Sequence, residues 1–381
     1  MIKLVSDTID KNDIDRLIKW LQTYPRLTKG PVTVELEKKW SDYLGTEYSV
    51  FCNSGSSANL LMLWSLIESG RIKRDAKVVV PALSWATDLA PVIQLNMQPV
   101  LCDVSLETLA VDINHLRRIF EQEDPDVLLL VSVLGIVPDM KAIVDLCNEF
   151  DVILLEDTCE SMGSEYDGNK LGNFGLMSSF STYFGHHIST IEGGFVSTND
   201  KELYETLISI RSHGWDRDNS DQYQKDMRTK WDTSDFDALY TFYNSGFNVR
   251  STDLQAYIGL TQIDKLPHVC ERRHENFLIY ERELSDYQPF IKKHGWISNF
   301  AYPVIAENRD KIITALQRNN IEVRPMICGS MGTQPFYEKN YGKCSLPNAS
   351  IIDKQGFYLP NHSDMSEKDI ILITDIIKAT Q

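Results

Sequence analysis

Three stretches of the chain carry side chains able to do chemistry. Asn53-Ser54-Gly55-Ser56-Ser57-Ala58-Asn59 sets hydroxyls and a glycine between a strand-like and a helix-like run. Exposed N–H groups and hydroxyls at a helix start suit a phosphate, and the same Ser/Gly pattern serves equally as an ordinary cap. Ile153-Leu154-Leu155-Glu156-Asp157 ends an apolar run in two acids. That is the carboxyl edge where open α/β sheets bind ligands. Asp157 there is placed either to hold a protonated ring nitrogen or to cap the next turn. The third stretch, Ser178 to Gly194, contains His186 and His187 side by side. Adjacent residues of a strand point to opposite faces, and the pair lacks the i, i+4 spacing of helical metal ligands. One of the two is expected to be structural.

The elements that must position these residues follow from hydrophobic patterning. Strands are expected at Glu47–Cys52, Lys77–Pro81, Pro99–Val104, Val127–Val133 and Val152–Glu156, and helices at Asn59–Glu68, Asp88–Leu95, Ile113–Glu121 and Met140–Phe150. Runs that are continuously apolar, such as Val127-Leu128-Leu129-Leu130-Val131, suit strands covered on both faces, which makes this an α/β chain with a mostly parallel central sheet. Residues 219–245, polar and aromatic without clear period, read as a long loop of the functional kind. Two consecutive helices are expected at Thr252–Leu266 and Val269–Tyr287. Beyond them lie a strand at Asn299–Ile305, a helix at Asp310–Arg318, a strand at Ile321–Arg324 and a last helix at Ser366–Lys378. The chain is thus expected to divide into a large domain, 1–264, and a smaller α+β C-terminal domain, 265–381.

Composition removes several function classes. A net charge of −16 over 381 residues repels nucleic acid and anionic membranes. No signal-like segment opens the sequence, and nowhere do about 18 apolar residues run together, so a cytoplasmic protein is expected. Seven cysteines, none in a C-x-x-C pair, argue against a disulfide framework, and no metal centre is expected. Neither a Walker lysine nor G-x-G-x-x-G follows the Ser/Gly turn, which disfavours triphosphatases and nicotinamide dehydrogenases.

Taken together, the motifs resemble the DegT/DnrJ/EryC1/StrS sugar aminotransferase family, of the pyridoxal-phosphate type I fold. The resemblance covers nearly the whole chain: the Ser-Gly-Ser turn, Pro81-Ala82-Leu83-Ser84-Trp85-Ala86-Thr87, the strand ending in Asp157, Ser181 to Glu192-Gly193-Gly194, Gly246-Phe247-Asn248-Val249-Arg250, and Leu359-Pro360 to Met365-Ser366. It departs at one position. The lysine to which the family attaches its cofactor, six residues before the Glu of Glu-Gly-Gly, is His186 here. An imidazole cannot hold the aldehyde cofactor covalently, but it moves protons near neutral pH.

A lysine-less branch of the family, the sugar-nucleotide 3-dehydratases, shares this replacement. Leu155 to Gly163, Phe174-Gly175-Leu176-Met177, His186-His187-Ile188 and Ser212-His213-Gly214-Trp215-Asp216-Arg217 resemble the members acting on GDP-4-keto-6-deoxymannose in colitose synthesis. The clustered cysteines of the iron–sulfur CDP-sugar members are missing. The resemblance implies pyridoxal 5′-phosphate and pyridoxamine 5′-phosphate as cofactor forms, with the phosphate held by Gly55, Ser56 and Ser181. Asn248 would reach that phosphate from the neighbouring subunit of a homodimer. Trp85 would stack on the pyridine, Asp157 would meet its nitrogen, Glu160 would lie beside its 3-hydroxyl, and His186 would be the catalytic base. His213 and Arg250 would bind the amino donor, L-glutamate. Arg26, Thr28, Arg217 and Arg324 would meet the GDP-linked sugar. The implied reaction removes the sugar's 3-hydroxyl and releases ammonia. A 4-aminotransferase and a non-catalytic binding protein are the alternatives, and ammonia release separates them.

Overall fold

The computed structural model describes residues 1–285 and 294–380. Seven strands form the central sheet: β1 (Tyr48–Cys52), β2 (Lys77–Pro81), β3 (Gln98–Cys102), β4 (Val127–Val131) and β5 (Ile153–Asp157), followed, after a small hairpin of β6 (Glu165–Tyr166) and β7 (Asn169–Lys170), by β8 (Met177–Ser181) and β9 (Gly194–Thr198). Their spatial order is β1-β9-β8-β5-β4-β2-β3, and only β9 runs antiparallel to its neighbours. In β4 the buried side chains alternate between two cores. Leu128 and Leu130 face one, which the C-terminal part of the chain completes, and Val127 and Leu129 face the other, under the helix Gly55–Glu68. That two-sided burial is what the unbroken apolar run encodes.

The C-terminal part carries a second, antiparallel sheet, β10 (Tyr302–Ile305), β12 (Gly356–Leu359) and β11 (Arg324–Pro325), in the order β10-β12-β11. The helices Arg309–Arg318 and Glu367–Ala379 pack beside it, the latter capped by Ser366.

Two expectations need correction. The stretch 219–245 is not a loop throughout: it holds a helix, Asp221–Lys230, capped by Ser220, and a short 3-10 turn, Asp237–Tyr240. The helix buries no residue, so it has no apolar stripe to read; the ion pair from Arg228 to Asp216, 2.8 Å, ties it down. The two helices expected around residue 267 are one, Asp253–Glu283, with Pro267 inside it. An interior proline costs about 3 kcal/mol. Burial of Ala256, Ile263, Leu266, Cys270, Phe277 and Tyr280 along one side outweighs that. Tyr287, where the second helix was expected to end, lies outside the described residues.

Candidate active site

The C-terminal edge of the central sheet opens into a cavity of about 520 Å³. Four strand ends there deliver the predicted residues: Gly55 and Ser56 follow β1, Trp85 follows β2, Asp157 closes β5 with Glu160 behind it, and Ser181 closes β8. His186 comes from the loop between β8 and β9. Arg324 reaches the cavity from β11 of the small sheet, with Tyr358 as its cross-strand neighbour.

Both readings of the Ser/Gly turn are realised, by different residues. Ser54 caps the helix, its hydroxyl oxygen accepting the Ser57 N–H at 3.1 Å, which leaves Gly55 and Ser56 turned to the cavity. A side chain at Gly55 would stand 2.7 Å from Ser181 Cβ and 2.9 Å from Cys159 Sγ. A side chain at Gly194 would meet the Ser54 carbonyl at 2.5 Å. The two glycines let a helix N-terminus lie directly against the Ser181 end of β8, a cradle of N–H groups and hydroxyls that fits a phosphate monoester.

The two acids ending β5 divide in the same way. Glu156 points away and is spent on structure, accepting the N–H groups of Gly172, Phe174 and Gly175 at 2.7–2.8 Å. Asp157 faces the cavity, one oxygen accepting the Cys159 N–H at 2.9 Å and the other the Asn59 side chain at 2.6 Å. Glu160 accepts the Leu134 N–H at 2.6 Å. Burial, with Asp157 nearby, pushes its carboxyl up to about 8 in spite of that bond. Trp85 is 54% exposed and lines the cavity, so its indole is free to cover a ring and is not a core side chain.

The adjacent histidines point in opposite senses. His187 is buried, with Nε2 beside the Ser298 carbonyl at 3.0 Å and hydroxyl at 3.1 Å, the structural member of the pair. His186 faces the cavity with its ring centroid 5.3 Å from that of Phe300, and its Nδ1 is buried without a hydrogen-bond partner. Burial lowers its pKa to about 4, against the opposing pull of Asp157. The imidazole is therefore a free base at neutral pH. Its main chain is clamped by Arg273, a buried guanidinium that donates to the carbonyls of His186 (3.3 Å), Phe300 (2.8 Å), Asn299 and Asn361. No lysine lines the cavity among the described residues.

The remaining predicted residues lie elsewhere. Arg26, Thr28, Arg217 and Arg250 line a second concavity of about 480 Å³ together with Trp215. The Arg217 and Arg250 guanidinium groups stand 3.9 and 5.7 Å from the centroid of the Trp215 ring. His213 packs edge-on against the same indole, and Asn248 accepts from Arg250 Nε at 3.1 Å. None of these six residues lines the first cavity of its own chain. Sequence reasoning missed Asn59, Asp88 and Arg273. For Asn59 and Asp88 the signal was polarity inside otherwise apolar helical runs, whereas Arg273, between Arg272 and His274 in a charged run, carried none.

Residues 7–378 match the DegT/DnrJ/EryC1/StrS aminotransferase family. The chain belongs to that family. Among its relatives, the GDP-4-keto-6-deoxy-D-mannose 3-dehydratase of Yersinia pseudotuberculosis is 33% identical over 380 residues, 96% of this chain and 95% of that one. The enzyme of the same name from Escherichia coli O55:H7 is 31% identical, over 92% and 93% of the two chains. A crystal structure of GDP-4-keto-6-deoxymannose-3-dehydratase with a trapped PLP-glutamate geminal diamine superposes with a TM-score of 0.91 at 29% identity, covering 99% of this chain and all of the other. The DegT/DnrJ/EryC1/StrS fold, a mostly parallel central sheet with an α+β C-terminal part, is the one expected from the sequence.

Proposed function

We propose that this chain is a pyridoxamine-phosphate-dependent 3-dehydratase acting on GDP-4-keto-6-deoxymannose, with L-glutamate as amino donor. One observation carries the reading: within the family's cavity the side chain facing the reacting region is the neutral imidazole of His186, with no lysine beside it among the described residues. The residues present fit the cofactor, since the Gly55 cradle takes a phosphate and the buried Asp157 carboxylate meets a pyridinium. When bound, the cofactor supplies an amine that condenses with the 4-keto group and a ring that takes up an electron pair. Gly55, Ser56 and Ser181 anchor the phosphate. Trp85 covers the ring, and Asp157 holds a proton at its nitrogen. The Glu160 carboxyl, protonated at neutral pH, donates toward the ring's 3-hydroxyl. His186 would take a proton from the carbon bearing the cofactor nitrogen and pass it to the departing 3-hydroxyl of the sugar, which would then leave as water while the released electron pair forms the C3–C4 double bond. Overall, the C3–O bond is replaced by C–H. Glutamate provides the two electrons by becoming 2-oxoglutarate, and its nitrogen leaves as ammonia.

Arg324 is assigned to the sugar diphosphate. Asn248 and the residues clustered with it, Arg26, Thr28, His213, Arg217 and Arg250, are assigned to the cavity of the other subunit of a homodimer, which their clustering away from their own chain's cavity supports. In this reading 1–264 is the cofactor-binding part and 265–381 the part that closes the cavity. A cytoplasmic location agrees with seven unpaired cysteines, and among the described residues no helix is long and apolar enough to cross a membrane. The test is a product assay with GDP-4-keto-6-deoxymannose, glutamate and pyridoxal phosphate. One ammonia and one 2-oxoglutarate should appear per 3-deoxy sugar. A 4-amino sugar formed without ammonia would replace this reading by an aminotransferase.

A further inference from the structure

Asp88 is a buried carboxyl to which the proposed chemistry gives no task. It occupies the third position of the helix Ala86–Gln94 and is wholly inaccessible. One oxygen accepts the Trp85 main-chain N–H at 3.0 Å and the other the Asn59 amide nitrogen at 3.1 Å. That same nitrogen donates to Asp157 at 2.6 Å and to the Thr87 carbonyl at 3.2 Å, while the Asn59 oxygen has no partner. The reversed amide would set its oxygen against two carboxyl groups, so the acceptors fix which way Asn59 faces.

We propose that Asp88 is a positioning residue for the cofactor site: through Asn59 it fixes the Asp157 carboxylate, and through the Trp85 main chain it fixes the indole. A single buried side chain thereby aligns the group that meets the ring edge with the group that covers the ring face. Two carboxyl groups served by one amide nitrogen away from water do not both ionise. Burial and the adjacent Asp157 push the Asp88 carboxyl well up, so Asp88 is the member of the pair that holds a proton. The other titratable groups facing Asp88, Glu160, Cys159 and Cys328, do not supply a positive charge.

The inference rests on the cofactor-site reading above, and its test keeps the two apart. Pyridoxal phosphate is titrated into the full-length, cofactor-stripped protein as wild type, D88A, D88L, D88N and D157A, with thermal melting as the check on folding. D88L keeps the volume of the side chain without its oxygens and is the variant to use if D88A does not fold, and D88N, the neutral isostere of a protonated carboxyl, is the conservative rescue. Losing a hydrogen bond to a charged group corresponds to about ten- to a hundredfold in binding, so once the Asn59 amide no longer holds the Asp157 carboxylate in place the dissociation constant for D88A or D88L should rise at least about tenfold, while D88N stays within about threefold of wild type. In D88A or D88L the pH midpoint of the bound cofactor's absorbance should move by at least about one unit, since its ring nitrogen no longer meets a fixed carboxylate. A role confined to folding would lower the melting temperature and leave that midpoint in place. Infrared spectra of the stripped protein at neutral pH should show a carboxylic-acid band that D88N removes. If folded D88A or D88L keeps the wild-type affinity and midpoint while D157A loses binding, this inference falls alone. If D157A also binds normally, the cofactor-site reading falls with it.

Discussion

Protonating His186 is the perturbation whose size the structure defines. Its ordinary pKa of 6.5 is lowered to about 4 by burial. The unfolded chain therefore takes up a proton on this ring near pH 6.5, whereas the folded chain resists until near pH 4. The unfolded state holds more protons between these values, so stability is present above 6.5 and is lost as pH falls toward 4. At about 1.4 kcal/mol per pKa unit the full loss is about 3 kcal/mol, of which about 2 kcal/mol falls between pH 7 and pH 5. The assay is urea unfolding of the cofactor-stripped protein at fixed concentration from pH 7 to pH 5, comparing wild type with H186Q. His187 has its own depressed pKa and contributes to both proteins, so the difference isolates His186. H186Q should lose about 2 kcal/mol less than wild type over that interval. Equal losses would show that the His186 ring is not buried against protonation, and with that the argument for a free base facing the cavity would fail.

Three further outcomes follow from the same geometry. Turnover of the wild type should show an alkaline limb near pH 8, where Glu160 gives up its proton, and E160Q should abolish that limb in a pH–rate profile. Arg273→Met leaves buried main-chain carbonyls at His186, Phe300 and Asn361 without their donor, so it should cost about 2–4 kcal/mol in denaturant unfolding and lower kcat by at least about tenfold. Mixed H186A and N248A chains should recover activity through hybrid dimers that carry one intact site. Demonstrated hybrids without activity would remove the shared-site assignment.

Much of the framework was legible because the chemistry that dictates it is local. Five apolar segments covered on both faces read as strands from composition alone, and Asp157 could be placed at a strand end because the apolar run stops there. That His186 faces the cavity was legible only through the family resemblance, which puts it at the lysine position; the two histidines lie in bends between β8 and β9, so strand alternation does not separate them. What stayed hidden depends on contacts distant in sequence. The helix Asp221–Lys230 has no buried face, so nothing periodic marks it. Pro267 signals a break that tertiary burial overrules. Asn59 and Asp88 are 29 positions apart and meet only after the sheet has formed. The separation of Arg324 from the other proposed substrate residues is likewise a fact of folding, since residue type makes all the arginines look alike.

The clamp on His186 has a consequence for how the cavity is entered. Arg273 carries its charge deep inside on carbonyl dipoles, and among the described residues it has no carboxylate partner within ion-pair distance. Its acceptors come from the β8–β9 loop and from two segments of the C-terminal part, around Phe300 and Asn361. Arg273 itself sits on the helix Asp253–Glu283, within that same C-terminal part, so swinging the part outward would carry the guanidinium and the Asn299, Phe300 and Asn361 carbonyls together and break only the tie to the His186 carbonyl. The wall behind the imidazole is latched to the β8–β9 loop by that one bond. At the mouth of the cavity stand Tyr183 and Phe184, exposed and uncharged.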